Sequence, residues 1–262
     1  MVSDVDMASC AGIVERGDPD RFIAVMAAAP AARETLFPIY AFNVEVARAP
    51  WVTQETMIAE MRLQWWADAL GEIAEGPTEE RLVRRHEVIT PMAAVVDATG
   101  AKVLQSLVEA RRWDIYKDPF EDEAHFERYL QATAGGLMFV AARALGDVPE
   151  EVARDVGYAQ GLANWLRAIP ALEAEKRIPL VDGREEPVAR LAASGLERLK
   201  RARSRRSAVS RAARTAFLAA WQAGAILQQA ANEPQRVGAG ALGQSEFARK
   251  GGLMLKAMTG RW

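Results

Sequence analysis

GYAQGLANWLRAIPALEAEKRIPL, residues 157–180, carries the clearest structural signal in the chain. Its apolar side chains recur at the spacing of a single helix face, at Leu162, Trp165, Leu166 and Ile169. Pro170 lacks the N–H group and the space that a regular helix needs, so we expect a kink or the end of the helix there. The segment is therefore predicted to be a packed helix followed by a basic, proline-containing exit.

The composition is that of an ordinary globular protein, with 262 residues of which 50% are hydrophobic and 26% charged. A net charge of −2 gives no overall attraction for nucleic acid, and no nucleic-acid partner is predicted. Cys10 is the single cysteine, which excludes an internal disulfide and a cysteine-rich zinc site. The N-terminal sequence lacks the basic start and apolar core of a signal peptide, and the apolar window 24–32 is too short to span a membrane. We expect a cytoplasmic protein, with peripheral contact at the inner face of the membrane left open.

Proline and capping residues divide the chain into helices, and no sustained two-residue apolar alternation predicts a strand. Asp18 followed by Pro19 has the form of an N-cap and a first helical residue. Asp118 and Pro119 repeat that signal, with Asp122 expected in the first turn of the helix they would start. The sequence therefore predicts an all-α fold.

The later part of the chain contains one long helical pattern, which begins after Pro187 and continues to about residue 231. A glycine-rich break follows it. We predict one domain over residues 1–262, loosely ordered over residues 1–17 and with a C-terminal extension over residues 235–262.

Three segments resemble motifs of the squalene/phytoene synthase family. Residues 157–180 resemble its second signature, G-x-A-x-Q-L-x-N-I-L-R-D-x-x-x-D, at Gly157, Ala159, Leu162, Asn164, Leu166 and Arg167. LFPIYAFNVEVARAPW resembles the first aspartate-rich segment, L-x-A-L-Y-A-F-C-R-x-x-D-D-x-x-D, and DEAHFERYLQATAGGLMF resembles the helix Y-x-x-x-V-A-G-x-V-G. The resemblance implies the isoprenoid (terpenoid) synthase fold, a single helical domain around a central cavity.

The aspartates of those motifs are missing. In catalytic members of the family, two aspartate-rich helix faces hold Mg²⁺ ions that draw the diphosphate from a prenyl substrate, because Mg²⁺ prefers hard oxygen ligands. The corresponding positions, expected to line the cavity, are Ala47, Trp51, Ala168 and Leu172. None of these side chains offers an oxygen ligand, so we predict no metal, no cofactor and no catalytic residue. The Trp51 ring could fill part of the old cavity.

Other carboxylates leave an enzymatic alternative open. Glu173 and Glu175 could reach the cavity mouth if the helix unwinds after Pro170, although a solvated turn is the favoured interpretation. Glu45 should point away from the cavity and pair with Arg48. With substitute ligands, the protein would be a Mg²⁺-dependent prenyltransferase that condenses two molecules of farnesyl or geranylgeranyl diphosphate head to head.

A narrower resemblance favours a different role. Residues 40–45, 62–66 and 160–170 are similar to a non-catalytic branch of the superfamily that assists in assembling respiratory complex I, NADH:ubiquinone oxidoreductase. That resemblance implies a pseudoenzyme whose partners are complex I subunits or assembly intermediates. A carrier that binds a prenyl or lipid ligand without turnover is a third hypothesis.

Two groups of side chains are candidates for binding. Asn164 and Arg167 could grip a phosphate or carboxylate, or could form a buried polar pair between helices. The candidates for binding a prenyl or lipid ligand are Tyr40, Asn43, Tyr129, Asn164 and Arg167. Residues 198–214 contain basic side chains and no acidic one, which is typical of a solvated helix face and could also serve contact with an anionic membrane or an acidic partner. The candidates for that contact are Arg198, Lys200, Arg201, Arg203, Arg205 and Arg206.

Overall fold

A computed structural model describes residues 4–53, 55–76 and 83–262, and these contain helices but no β-strand. The α-helices are α1 (Asp4–Gly17), α2 (Pro19–Met26), α3 (Pro30–Arg48), α4 (Thr56–Glu75), α5 (Ile89–Met92), α6 (Ala98–Arg111), α7 (Trp113–Tyr116), α8 (Glu123–Leu130), α9 (Gly136–Leu145), α10 (Glu150–Ala174), α11 (Glu185–Ser204), α12 (Ala223–Asn232), α13 (Gln235–Gly238) and α14 (Glu246–Thr259). Short 3₁₀ segments span Ala49–Trp51, Arg206–Ala208 and Ala213–Ala220, and a π-helical segment spans Gln131–Gly135. The predicted all-α class is confirmed.

Helix α10 lies at the centre of the fold. It packs against α9, α11, α12 and the π-helical segment, and it buries side chains along most of its length. The buried side chains of the described residues join into one hydrophobic cluster that extends from Cys10 to Trp262. None of the described helices is both long and apolar enough to cross a bilayer.

Of the kink or exit predicted at Pro170, the exit does not occur, because α10 continues through the proline to Ala174. A proline removes one backbone donor, but the flanking residues still form helical hydrogen bonds, and the turn at Gly240 lies against the Pro170 ring. The chain leaves the helix at Lys176, whose φ of 61° is left-handed. Tertiary packing has therefore moved the exit by about one and a half turns.

The long helix predicted after Pro187 is divided in two. Helix α11 ends at Ser204, and α12 begins only at Ala223. Between them Val209 is extended, and the Ser210 N–H donates to the Asp147 carbonyl at 2.9 Å. A contact with the loop after α9 thus replaces the helical bonds that the sequence pattern had suggested.

The N-terminal segment expected to be loosely ordered is instead a helix over Asp4–Gly17, while residues 1–3 of it lie outside the described residues. It buries Cys10, Ile13 and Val14 and packs against α3. Its weak amphipathic pattern explains why the sequence did not predict it.

Two capping predictions had different outcomes. Asp18 caps α2 as predicted, since its Oδ1 accepts from the Arg21 N–H at 3.0 Å. The helix predicted to start at Pro119 instead begins at Glu123 and is capped by Asp122, whose Oδ1 accepts from the His125 N–H at 2.6 Å. A second acidic residue in the right position displaced the first as the cap.

Candidate functional site

The four positions predicted to correspond to the metal ligands of catalytic family members lie on two parts of the fold. Ala47 is in the last turns of α3 and Trp51 in the 3₁₀ segment after it, whereas Ala168 and Leu172 are in α10. None carries an oxygen that could bind a cation. Of the four, Ala168 is the one that lines the cleft described below.

Trp51 does not fill a cavity. Its side chain is exposed, at 44% of its maximum. The Arg177 guanidinium lies 4.5 Å from its ring centroid in a cation–π contact, and Arg177 itself is buried and donates to the Asp114 carbonyl. The expectation that tryptophan at a ligand position would occupy the old cavity is therefore wrong.

A polar cleft of about 600 Å³ lies between the start of α2 and the middle of α10. It is bordered by Gly17, Asp18, Pro19, Asp20, Arg21, Gln160, Asn164, Arg167, Ala168, Ala219, Gln222, Ala223 and Arg249. The cleft brings together residues that are far apart in the sequence, including one from the C-terminal helix α14. A charged ligand in this cleft would meet several charged and polar side chains.

Asp20 is the centre of the charge network in this cleft. Its Oδ2 accepts from Arg167 Nη1 at 2.9 Å, and its Oδ1 accepts from Arg249 of α14. Burial raises the pKa of Asp20, but the hydrogen bond from Arg167 and the charge of Arg249 outweigh it, so the pKa lies below its usual range. Asp20 is consequently ionised and bonded to both arginines at neutral pH.

A second ion pair, between Arg21 and Asp18, lies on the inner side of the cleft. The Arg21 side chain is buried, and its Nη1 lies 2.5 Å from Asp18 Oδ2 while its Nη2 donates to Gln160 Oε1 at 3.2 Å. The two carboxylates of the cleft are therefore both bonded to arginines. Asn164 and Arg167 are both exposed on the border of the cleft, so the alternative in which they form a buried polar pair is wrong.

Two further ligand-binding candidates lie in α3, away from the cleft. Tyr40 and Asn43 are both buried. Burial raises the pKa of Tyr40 to about 12, and its hydroxyl has no hydrogen-bond partner among the described residues. The Arg21 guanidinium lies 5.2 Å from the Tyr40 ring centroid, which connects this tyrosine to the wall of the cleft but not to its open space.

Tyr129, the remaining ligand-binding candidate, belongs to an internal polar network. Its hydroxyl donates to the Asp114 carboxylate at 3.0 Å and accepts from Arg111 Nη1 at 2.6 Å. Burial, the main cause, raises its pKa far above the usual range. The ring packs among aromatic side chains that include Trp113 and Trp165. This tyrosine stabilises the packing of α7, α8 and α10.

The substitute carboxylates do not assemble into a site. Glu173 and Glu175 are exposed at the end of α10. Glu45 pairs with Arg48 at 3.1 Å, as predicted. Among the described residues no group of three histidine, cysteine, aspartate or glutamate side chains is placed to hold a metal ion.

Several of the basic candidates on α11 are neutralised within the protein. Arg201 binds Asp155 through two hydrogen bonds of 2.7 and 2.8 Å, and Arg198 pairs with Asp155 and Glu127. These acidic partners lie on α8 and α10, which explains why a purely basic segment in sequence is not a purely basic surface in space.

The other four candidates divide into two kinds. Arg205 pairs with Glu151, and Lys200 lies 3.9 Å from Glu197. Arg203 and Arg206 instead donate to backbone carbonyl groups of the C-terminal segment, at Trp262 and Gly260. Hydrogen bonds to carbonyl groups leave the charge of a guanidinium uncompensated.

Comparison with known proteins identifies the family. The family model for squalene/phytoene synthase matches residues 14–239. The chain belongs to the squalene/phytoene synthase family. Among solved structures, a dehydrosqualene synthase in complex with ligand has a TM-score of 0.75 at 15% identity, over 97% of this chain and 95% of that chain. The squalene synthase HpnC from Alicyclobacillus acidocaldarius has a TM-score of 0.70 at 16% identity, over 88% of this chain and 94% of that chain. The predicted isoprenoid synthase fold is confirmed.

The proteins that are similar to this chain in sequence are described as assembly factors and not as synthases. The complex I assembly factor 6 homolog of Drosophila melanogaster is 29% identical over 181 residues, which are 66% of this chain and 53% of the relative. Complex I assembly factor 6 of Bos taurus is 23% identical over 180 residues, 64% of this chain and 51% of the relative. The chain spans about half the length of these curated relatives. Family membership is thus shared with synthases and with assembly factors.

Three central side chains of the cleft, Asp20, Arg21 and Arg249, were not among the residues predicted from the sequence. The sequence indicated the first two only indirectly. The cap at Asp18 fixes where α2 begins, and Asp20 and Arg21 are in its first turn. No signal in the sequence linked Arg249 to Asp20, because they are more than two hundred positions apart.

Proposed function

We propose that this protein is a non-catalytic member of its family that assists the assembly of NADH:ubiquinone oxidoreductase. One observation carries the proposal: where catalytic members place metal-binding aspartates, this chain has Ala47, Trp51, Ala168 and Leu172. The description of relatives from fly, cattle and human as complex I assembly factors supports the role in assembly.

The residues present do not fit Mg²⁺. The cleft carboxylates Asp18 and Asp20 are bonded to arginines, which compete with any cation for the same oxygens. Magnesium needs several oxygen ligands in octahedral geometry, and no set of that kind surrounds Ala168. The oxygen atoms available in the cleft therefore do not support a Mg²⁺ ion that would connect the protein to a diphosphate.

The cleft also gives little support to a prenyl carrier. Its border is mostly charged or polar, whereas a prenyl chain is bound by an apolar wall. The carrier hypothesis therefore ranks below the assembly role.

An exposed apolar surface is suited to a protein partner. Trp51 and Val52 lie beside the start of α4, where Met57, Ile58 and Met61 also face solvent. Contiguous apolar side chains on a protein surface are typical of protein–protein contact. We propose that this surface, the α4 surface, contacts a subunit or assembly intermediate of complex I.

The assembly role is tested in cells. Deleting the gene should lower the amount of assembled NADH dehydrogenase on native gels, and the wild-type gene should restore it. The Met57→Ser/Met61→Ser variant should restore less than the Val5→Ser/Val181→Ser variant, which also replaces two exposed apolar residues but lies outside the α4 surface. An unchanged level of complex after deletion contradicts the proposal.

The lack of catalysis is tested with purified protein. Farnesyl or geranylgeranyl diphosphate with Mg²⁺ should give no diphosphate release above a blank without enzyme, while a catalytic relative releases it under the same conditions. Release by a folded sample would establish the prenyltransferase alternative, and loss of that release in Glu173→Gln or Glu175→Gln would identify the substitute ligands.

A further inference from the structure

The last helix, α14, presents apolar side chains to solvent on one side. Phe247, Met254 and Met258 follow one another at intervals of seven and four residues, which places them on the same face, with Leu255 beside them. Phe247 is 90% exposed and Met258 79% exposed. The opposite side buries Leu253 against the protein. An amphipathic helix of this kind has its apolar face uncovered.

A basic pocket of about 330 Å³ adjoins the C-terminal end of this helix, and Met258 belongs to both. Its lining includes Arg206, Arg211, Arg214, Lys256 and Arg261. The lining therefore contains five cationic side chains and no carboxylate. Cationic side chains held close together repel one another unless a bound anion compensates their charge.

The cations of this pocket are not neutralised by the described residues. Arg206 donates to the Gly260 carbonyl at 2.6 Å, and Arg214 donates to the carbonyls of Val209 and Arg206 at 2.9 Å. Arg211, Lys256 and Arg261 form no ion pair with a carboxylate of the described chain. This contrasts with Arg198 and Arg201 on α11, which are paired.

Lys256 supports the same interpretation. Burial and the charge of Arg203 lower its pKa. The charged form of a half-buried ammonium group without a carboxylate partner is less stable than in water, and a nearby anion would stabilise it. The pocket is thus electrostatically suited to an anion and lies next to exposed apolar side chains.

We propose that α14 and the basic pocket together form a membrane-binding surface for anionic phospholipid. The apolar face of α14 would enter the head-group region of one leaflet, and the five cations would contact lipid phosphates. The exposed apolar face of α14 beside uncompensated Arg and Lys favours a lipid surface over a nucleic acid, because phosphate contacts alone would leave the apolar face in water. The protein would then be peripheral, consistent with the absence of a spanning helix among the described residues.

Co-sedimentation of the full chain with vesicles tests the proposal. Binding should be strong for phosphatidylcholine vesicles that contain about 30% phosphatidylglycerol, weak for pure phosphatidylcholine, and reduced at high salt. Arg211→Glu/Arg261→Glu should weaken the binding by more than about tenfold, because two contacts become repulsive. Both residues are exposed, so the variant is expected to fold.

Matched variants separate this surface from others. Phe247→Ser/Met258→Ser should also release the protein from anionic vesicles, while Met57→Ser/Met61→Ser on the α4 surface should not. Arg85→Glu/Lys102→Glu makes the same change in net charge as the arginine pair, at two exposed residues outside this surface, and should bind like the wild type. Equal binding to neutral vesicles, or equal losses in the matched variants, would overturn the proposal, as would binding to an acidic protein with none to vesicles.

Discussion

Asp20 shows how a single carboxylate organises the cleft. It accepts hydrogen bonds from Arg167 of α10 and Arg249 of α14, so its charge holds together three helices that the sequence keeps apart. Bonds between ionised groups that are partly shielded from water are stronger than neutral ones. The pKa of Asp20, held below its usual range, reports that stabilisation.

Replacing this carboxylate should destabilise the protein. Asp20→Asn leaves two arginines without their partner, and we expect the free energy of unfolding at neutral pH to fall by about 1–3 kcal/mol. Urea unfolding followed by circular dichroism measures the change. Asp118→Asn, at an exposed aspartate, is the control and should differ little from the wild type.

The effect should depend on pH in a defined direction. A carboxylate whose pKa is lowered by folding contributes stability at pH values above its unfolded pKa, about 3.9, and loses it as the pH falls through the folded value. The difference between wild type and Asp20→Asn should therefore be constant near neutrality and shrink below about pH 4. A difference that grows on acidification would contradict the assigned pairing.

At the scale of elements, α10 depends on a close approach to the π-helical segment. A Cβ on Gly157 would lie 2.5 Å from the Ala134 carbonyl oxygen and 2.7 Å from the Met138 Cβ. Backbone atoms cannot move as a side chain can, so the glycine is required by packing. This contact positions the half of α10 that continues to Ala168.

Gly157→Ala should consequently lower the free energy of unfolding by about 2 kcal/mol, as overpacking at a helix contact does. Thermal unfolding is the simplest measurement. The matched change Gly251→Ala, in α14 where an added Cβ meets nothing within 4 Å, should stabilise by about 0.5–1 kcal/mol because alanine favours helix. If both variants lose stability alike, helix packing at Gly157 is not the cause.

Helices with a strong apolar pattern and a local cap could be predicted from the sequence, and α2 with its cap at Asp18 is the example. Predictions failed where a distant contact decided the outcome. Pro170 remains helical because neighbouring elements hold α10 on both sides of it, and the break after Ser204 depends on the Asp147 carbonyl. Local propensity carries no information about such partners.

At the scale of the whole molecule, both ends of the described chain are packed into the fold. Helix α1 lies against α3, and the Trp262 ring is buried with its centroid 4.7 Å from that of Phe217. The residues expected to form an extension thus contribute to the hydrophobic cluster.

Trp262→Ala should lower the free energy of unfolding by about 3 kcal/mol, the usual loss for a buried aromatic side chain. Phe247→Ala, on the exposed face of α14, should change it by less than about 0.5 kcal/mol. Chemical denaturation of both proteins tests this, and a negligible effect at Trp262 would show that the C-terminal segment behaves as a separate appendage.

Part of the candidate site followed from the motifs, since Asn164, Arg167 and Ala168 border the cleft. The basic surface did not. The sequence indicated charge on α11, but Asp155 neutralises part of that helix, and the uncompensated cations come from two segments separated by about forty residues. Only the folded chain brings Arg211 and Lys256 to one pocket.

The Asp20–Arg249 ion pair couples the binding of an anion in the cleft to the attachment of α14 to α2. An anion entering the cleft competes with Asp20 for the Arg249 guanidinium, and whatever weakens that pair also loosens the attachment of α14 to α2. By thermodynamic reciprocity, an event that pulls α14 away must raise the affinity of the cleft for anions to the same degree. Occupancy of the cleft and the position of the last helix are therefore not independent variables.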